Sequence, residues 1–287
     1  MAQPIEIRLD TSRYRIPTQE DISAAKEYIL QREESARAIG GEADALLSRA
    51  AEEVVKICYK YDVDPKKLLF SSAFNEEMMN EISDVMDDLE GELLALIERY
   101  VVAATKDSSF RNFLLAWMAT LGKNGNGIRE TLDGYLYKTM KDWEAAIAAM
   151  RYMRLTLSEA LVRIKTYLHS IYSMPEVQTA FRHRTEFAST YIYYGGVQRG
   201  AVGISNNGST NVVNMGRITV QMAWMRAQMH DFQEKGVAGY LQLRGSLFDC
   251  DLCDEETGFH EGLEDMEVKA YPHPNCRCYR VPVYWKS

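Results

Sequence analysis

The chain is poor in the residues that staple or punctuate a secreted protein. It has five cysteines and seven prolines in 287 residues. It lacks a long uncharged apolar run, and the longest, Asn112 to Gly122, falls far short of a bilayer span. It lacks an excess of positive charge. The net charge is −8, with −6 over residues 1–175 and −2 over 176–287. Phosphate neutralisation needs concentrated Lys and Arg, so neither half reads as a stand-alone nucleic-acid binder. Glu6, Arg8, Asp10, Arg13 and Arg15 leave no room for a secretory apolar region at the start. These absences set the expectation of a non-membrane protein made and folded in a cytoplasm. There, clustered cysteines read as metal ligands or reactive thiols before they read as disulfides. Catalytic signatures are missing as well. His169, His183, His230, His260 and His273 are scattered, with no HNH or nucleophile-elbow arrangement around them, and the chain has no P-loop or GxGxxG pattern. No enzyme is expected.

What is present is helix. Thr18 is placed to cap a helix with Ile22, Ala25, Tyr28 and Ile29 at helical spacing, and Gly40-Gly41 is placed to end it. A second run carries Ala45, Leu46, Ala50, Val54 and Cys58, until Pro65 interrupts. A long helix is expected over 75–105, with Met78, Ile82, Leu89, Leu93 and Ile97 on one stripe, and another over 110–121. The glycines and asparagines of 122–127 mark a turn. Helix is expected again over 128–153 and 158–173, closed by Pro175. No internal repeat or clean heptad appears. The expected architecture is mainly α: a helical domain over 1–175, followed over 176–287 by a small α+β module. That module reads as a glycine-rich loop (191–216), an amphipathic helix (216–235) and cysteine-stapled strands (240–285).

Charge is uneven inside the second part. Residues 177–250 hold seven basic side chains against four acidic ones, and 251–267 hold eight acidic and none basic. Four of the five cysteines fall in the last 38 residues: Cys250-x2-Cys253 and, further on, Cys276-x-Cys278. A CxxC turn aims two thiolates at one point, and zinc takes four such ligands in a tetrahedron. CxC has a tighter bite, so His273 is an alternative ligand to Cys276 or Cys278. The set Cys250, Cys253, Cys276 and Cys278 is thus a candidate structural zinc site. Two local disulfides and a small core of reduced thiols are the other readings these residues leave open. A thioredoxin-like redox CxxC is disfavoured, because no helix is expected to start after Cys250. A module this small has a thin core and gains from such a cross-link. Cys58, on an apolar helix face, reads as a buried small hydrophobe.

The order of features carries a resemblance. The helix "GRITVQMAWMRAQMHDFQEKG" leads into "LQLRG", then "CDLCDEETG", then a loop, then "HPNCRC" and "YRVPV". This resembles the C-terminal domain of phage head morphogenesis proteins of the Mu F type, the minor capsid or minor head proteins. It does so through Cys250, Cys253, Gly258, His273, Pro274, Asn275, Cys276, Arg277 and Cys278, over roughly residues 212–283. The sequence departs from the family at Arg217-Ile218-Thr219, where Arg-Thr-Glu is usual. The resemblance implies a virion component, inside the head at the portal vertex after assembly in the host cytoplasm. It would act in head assembly and in DNA packaging or delivery, bound to the portal protein and in reach of scaffold or major capsid protein and, weakly, of packaged DNA. Two other functions come from the residues themselves. One is a nucleic-acid-binding zinc module using Arg277, Arg280, Tyr279 and Trp285. The other is a host-directed nuclease or transferase around "FRHRTEF" (181–187).

Overall fold

A computed structural model of the chain describes residues 9–61, 75–121, 127–182, 207–245, 250–264, 266 and 277–286. Among these the protein is mainly helical, with eight α-helices and one small antiparallel sheet. The helices are α1 (Gln19–Lys60), α2 (Glu76–Val102), α3 (Ser108–Thr120), α4 (Gly127–Tyr152), α5 (Leu157–Thr166), α6 (Pro175–Arg182), α7 (Gly208–Glu234) and α8 (Asp251–Glu255). The strands are β1 (Gly239–Leu243), β2 (Gly258–Glu261) and β3 (Tyr279–Val283), in the order β2-β1-β3.

Short polar side chains set the helix starts. Thr18 Oγ1 accepts from the Asp21 amide at 3.2 Å, and the Asp21 carboxylate accepts from the Thr18 amide at 2.7 Å. That reciprocal pair satisfies two orphan donors at the head of α1. Asn75 accepts from the Met78 amide at 3.0 Å before α2, and Asp107 from the Ser109 amide at 2.9 Å before α3. Thr156 and Glu159 form a full capping box on α5.

Contacts gather the chain into two units that each draw on several stretches. One comprises 1–38, 99–117 and 217–287, and the other 39–98 and 118–216. In the second unit α4 is central. Every residue from Asp142 to Met150 is buried, and α5 and α6 pack on it. In the first unit, Tyr28 of α1 meets Trp224 of α7 edge-on at 5.1 Å and donates its hydroxyl to the Trp224 carbonyl. The sheet of this unit is covered on both faces. Tyr240 packs with Met225, Phe232, Val237, Leu263 and Met266 on one face. On the other, Val283 and Leu241 pack with Tyr14, whose ring lies 4.9 Å from Phe259. The segment around Tyr14 is tied to the chain end: Arg15 donates to the Tyr284 carbonyl and Lys286 to the Arg13 carbonyl, each at 2.9 Å.

Several local expectations are corrected. α1 does not stop at Gly40-Gly41; it runs through to Lys60. Nothing stands within 4 Å of where a Gly41 side chain would lie, and packing on either side carries the helix past the weak point. Pro175 opens α6 rather than merely closing its predecessor, because the first helical position needs no N–H. The helix expected to start at 216 starts at Gly208, so residues 208–216 are helix and not loop. Nor is α7 amphipathic in the expected sense. Val220, Gln221, Ala223, Trp224, Met225, Ala227 and Gln228 are all buried, so polar as well as apolar positions face inward. The turn expected at 122–126, the loop at 191–206, and Pro65 lie outside the described residues.

Candidate functional site

The sheet register assembles the cysteines. β1 pairs antiparallel with β3, Leu243 opposite Tyr279, so the chain just past β1 runs beside the chain just before β3. Gly245 makes that approach possible. A β-carbon there would sit 1.9 Å from the Arg277 carbonyl oxygen, a separation no side chain tolerates. Cys250 caps α8, Cys253 lies on it, and Cys278 immediately precedes β3. Cys253 and Cys278 are buried against each other, with half-buried Cys250 packed on them. Three of the four candidate ligands, Cys250, Cys253 and Cys278, therefore converge. Cys276 and the alternative ligand His273 lie outside the described residues. Among those described, no group of three or more His, Cys, Asp or Glu side chains is arranged to hold a metal. The donor type suits zinc, and a complete set would draw on Cys276 or His273.

A helix does begin after Cys250, which removes the argument used against a redox role. It is one turn of "DLCDE", held by the Asp254 amide on the Cys250 carbonyl at 2.9 Å and by Thr257 Oγ1 on the Cys253 carbonyl at 2.7 Å. Arg244 pairs with Asp254. That hydrogen bond first, and the nearby Cys253 and Cys278 further, hold its guanidinium more firmly charged than usual.

Beside the cysteines opens a cleft of about 590 Å³. Its cations are Lys26 and Arg37 of α1 and Arg244 and Arg277 of the strand ends. Among the described residues Glu33 is the one acid in its lining, and the apolar floor is Ile29, Leu30 and Tyr279. Of the residues expected to meet nucleic acid, Arg277 is exposed here, Tyr279 is half-buried and Trp285 is 54% exposed. Arg280 is not available. It is 2% exposed, opposite Gln242 in the ladder, and donates to the Gln242 side chain at 3.3 Å. With both faces of the sheet covered, neither parity along β3 points to solvent.

Two clusters had no signature in the sequence. In the second unit, His169 Nε2 meets Asp44 at 2.5 Å and Nδ1 meets the Thr210 hydroxyl at 3.0 Å. This has the connectivity of an acid–base–hydroxyl relay. Its His and Asp side chains are 40% and 50% exposed, however, where water screens the charges that would activate a hydroxyl. Nearby, the buried Asp142 carboxylate accepts from the Gly208 amide at 2.7 Å and the Tyr172 hydroxyl at 2.9 Å, and pairs with Lys138. Burial nonetheless raises its pKa above the ordinary carboxylate value. In the first unit, His230 stacks flat on Phe110 at 4.1 Å and meets Asp107 at 3.2 Å. Asp107 is held at a pKa of about 2, chiefly by the Ser109 hydroxyl and amide, with His230 adding to them. His169 with Asp44 and Thr210, Asp142 with Tyr172 and Gly208, and His230 with Asp107 and Phe110 are distant in sequence, and only the fold brings them together. "FRHRTEF" lies almost wholly outside the described residues.

No protein-family model, curated protein or solved structure matches the chain.

Proposed function

We propose that the chain is a structural minor head protein of the Mu F type, acting inside the capsid at the portal vertex in head assembly and in DNA packaging or delivery. The observation that carries this is the cysteine convergence. The order helix, strand, CxxC, strand, HPNCRC, strand would be arbitrary in an extended chain. Here β1–β3 pairing accompanies the meeting of Cys250 and Cys253 from the first half with Cys278 from the second. In this reading zinc, held by Cys250, Cys253, Cys278 and either Cys276 or His273, serves as a structural clip. The helical body supplies protein-contact surface, and no turnover is involved. That no described helix is long and apolar enough to cross a membrane is compatible with it.

The test is binding to the portal protein produced with it, by co-purification and by light scattering of the mixture, together with mass spectrometry of purified particles. The expected result is a stable complex and a few copies per particle. Absence from particles combined with no portal binding overturns the reading.

A further inference from the structure

We propose that the cleft beside the cysteines is a docking site for an acidic segment of a partner protein, one carrying an aliphatic anchor among its carboxylates. The proposal stands apart from the minor-head assignment, because it rests only on charge and shape at this cleft.

In the same unit, Arg13, Arg15, Arg32, Lys235 and Arg244 each have a carboxylate partner. Lys26, Arg37 and Arg277 do not: among the described residues they make no ion pair, and all three are exposed. In a chain of net charge −8, three uncompensated cations converge on one concavity. The only carboxylate among its described lining residues is already used, since Glu33 accepts from Arg32 and from Gln221, each at 3.1 Å. Lys26, Leu30, Glu33 and Arg37 recur at helical spacing along one face of α1, so the cations flank an apolar step instead of forming a uniform patch. Leu30 is 68% exposed and continuous with buried Ile29. A side chain left so open between two cations fits an aliphatic anchor with carboxylates on either side.

Nucleic acid fits less well. Among the described residues Tyr279 is the only aromatic in the lining, and Lys26 Nζ already lies 5.8 Å from its ring centre, so the described lining offers successive bases no platform. The wall at Arg244 borders α8, where Asp251, Asp254 and Glu255 are exposed. A long phosphate backbone would meet those acids, while a short acidic peptide would end before them.

The experiment measures fluorescence anisotropy of the full chain with a labelled peptide of roughly 15 residues, glutamates and aspartates around two leucines one helical turn apart. Oligothymidylate of matched length is the competitor. The expected result is saturable binding that weakens between about 50 and about 500 mM salt. Arg37→Glu with Arg277→Glu should weaken it about tenfold. Leu30→Ser should weaken it with the salt dependence unchanged. The charge-reversed protein should gain binding to the lysine version of the peptide. All three positions are exposed, and circular dichroism checks that the variants fold. No peptide binding at the lower salt, or binding indifferent to the double reversal, overturns the proposal. Tighter binding of the oligonucleotide replaces it with a nucleic-acid site. Loss of portal binding with peptide binding intact would sink only the minor-head assignment.

Discussion

Gly208→Ala is the substitution on which helix propensity and the fold give opposite signs. Gly208 is the first residue of α7, and alanine there gains up to about 1 kcal/mol in helix propensity. The fold says otherwise. A β-carbon on Gly208 would lie 2.4 Å from the Thr139 amide nitrogen and 2.6 Å from its Cα, both backbone atoms of buried α4. Neither can rotate away, so α7 must move off α4. Forced repacking of this kind costs about 1–3 kcal/mol. The move also stretches the 2.7 Å bond from the Gly208 amide to buried Asp142, and a buried charge left short of a donor costs about 1–3 kcal/mol. Against the propensity gain, the net expectation is a loss of about 1–5 kcal/mol. Urea unfolding followed by far-ultraviolet circular dichroism reads it as a lower midpoint at unchanged slope. A midpoint equal to or above that of the parent would refute the docking of α7 on α4.

Gly41→Ala and Gly134→Ala should do the reverse. Both are exposed within helices and have nothing within 4 Å of the new methyl, so each should raise stability by about 0.5–1 kcal/mol in the same assay. Burial pushes the Cys58 thiol up to about 12, so an alkylating agent at pH 8 should leave it unmodified until denaturant is added, by peptide mass mapping. Burial also raises Asp142, so the folded state holds its proton to higher pH than the unfolded chain does. That contribution is complete below about pH 4 and fades as pH rises through the folded value. The stability of the parent relative to Asp142→Asn should therefore fall as the pH rises above about 4, and a rise would be wrong in sign. Purified protein should carry about one zinc per chain, lost on Cys253→Ser or Cys278→Ser. Metal-free protein with an unaltered fold would leave the cysteines as core.

The legible parts were those decided within a few residues. Thr18 and Asp21 announce the start of α1 because a cap is a local exchange of hydrogen bonds. The stripe Met78, Ile82, Leu89, Leu93 and Ile97 announces α2 because one face is buried and the other wet. β1 and β3 lie near the two ends of the 240–285 stretch expected to carry strands. What escaped was decided at a distance. α7 hides its pattern because Gln221 and Gln228 are buried, and Gln221 finds Glu33 on α1, 188 residues away.

The candidate site divides along the same line. Its cysteines could be read because metal-type spacing is a local pattern. Its cleft could not, because Lys26 and Arg37 come from α1 while Arg244 and Arg277 come from the far end of the chain. The misreading of Arg280 has the same origin. An arginine alternating with valines in a terminal strand points to water only if one sheet face is open. Here Tyr14, more than 260 residues upstream of β3, packs on the Val283 face, and α7 packs on the Tyr240 face. Removing the segment around Tyr14 should therefore expose Val283 and Phe259 and leave Arg280 as buried as before. That outcome separates a sheet covered twice from one covered once, and it agrees with Arg277, just before β3, being exposed while Arg280 within it is buried.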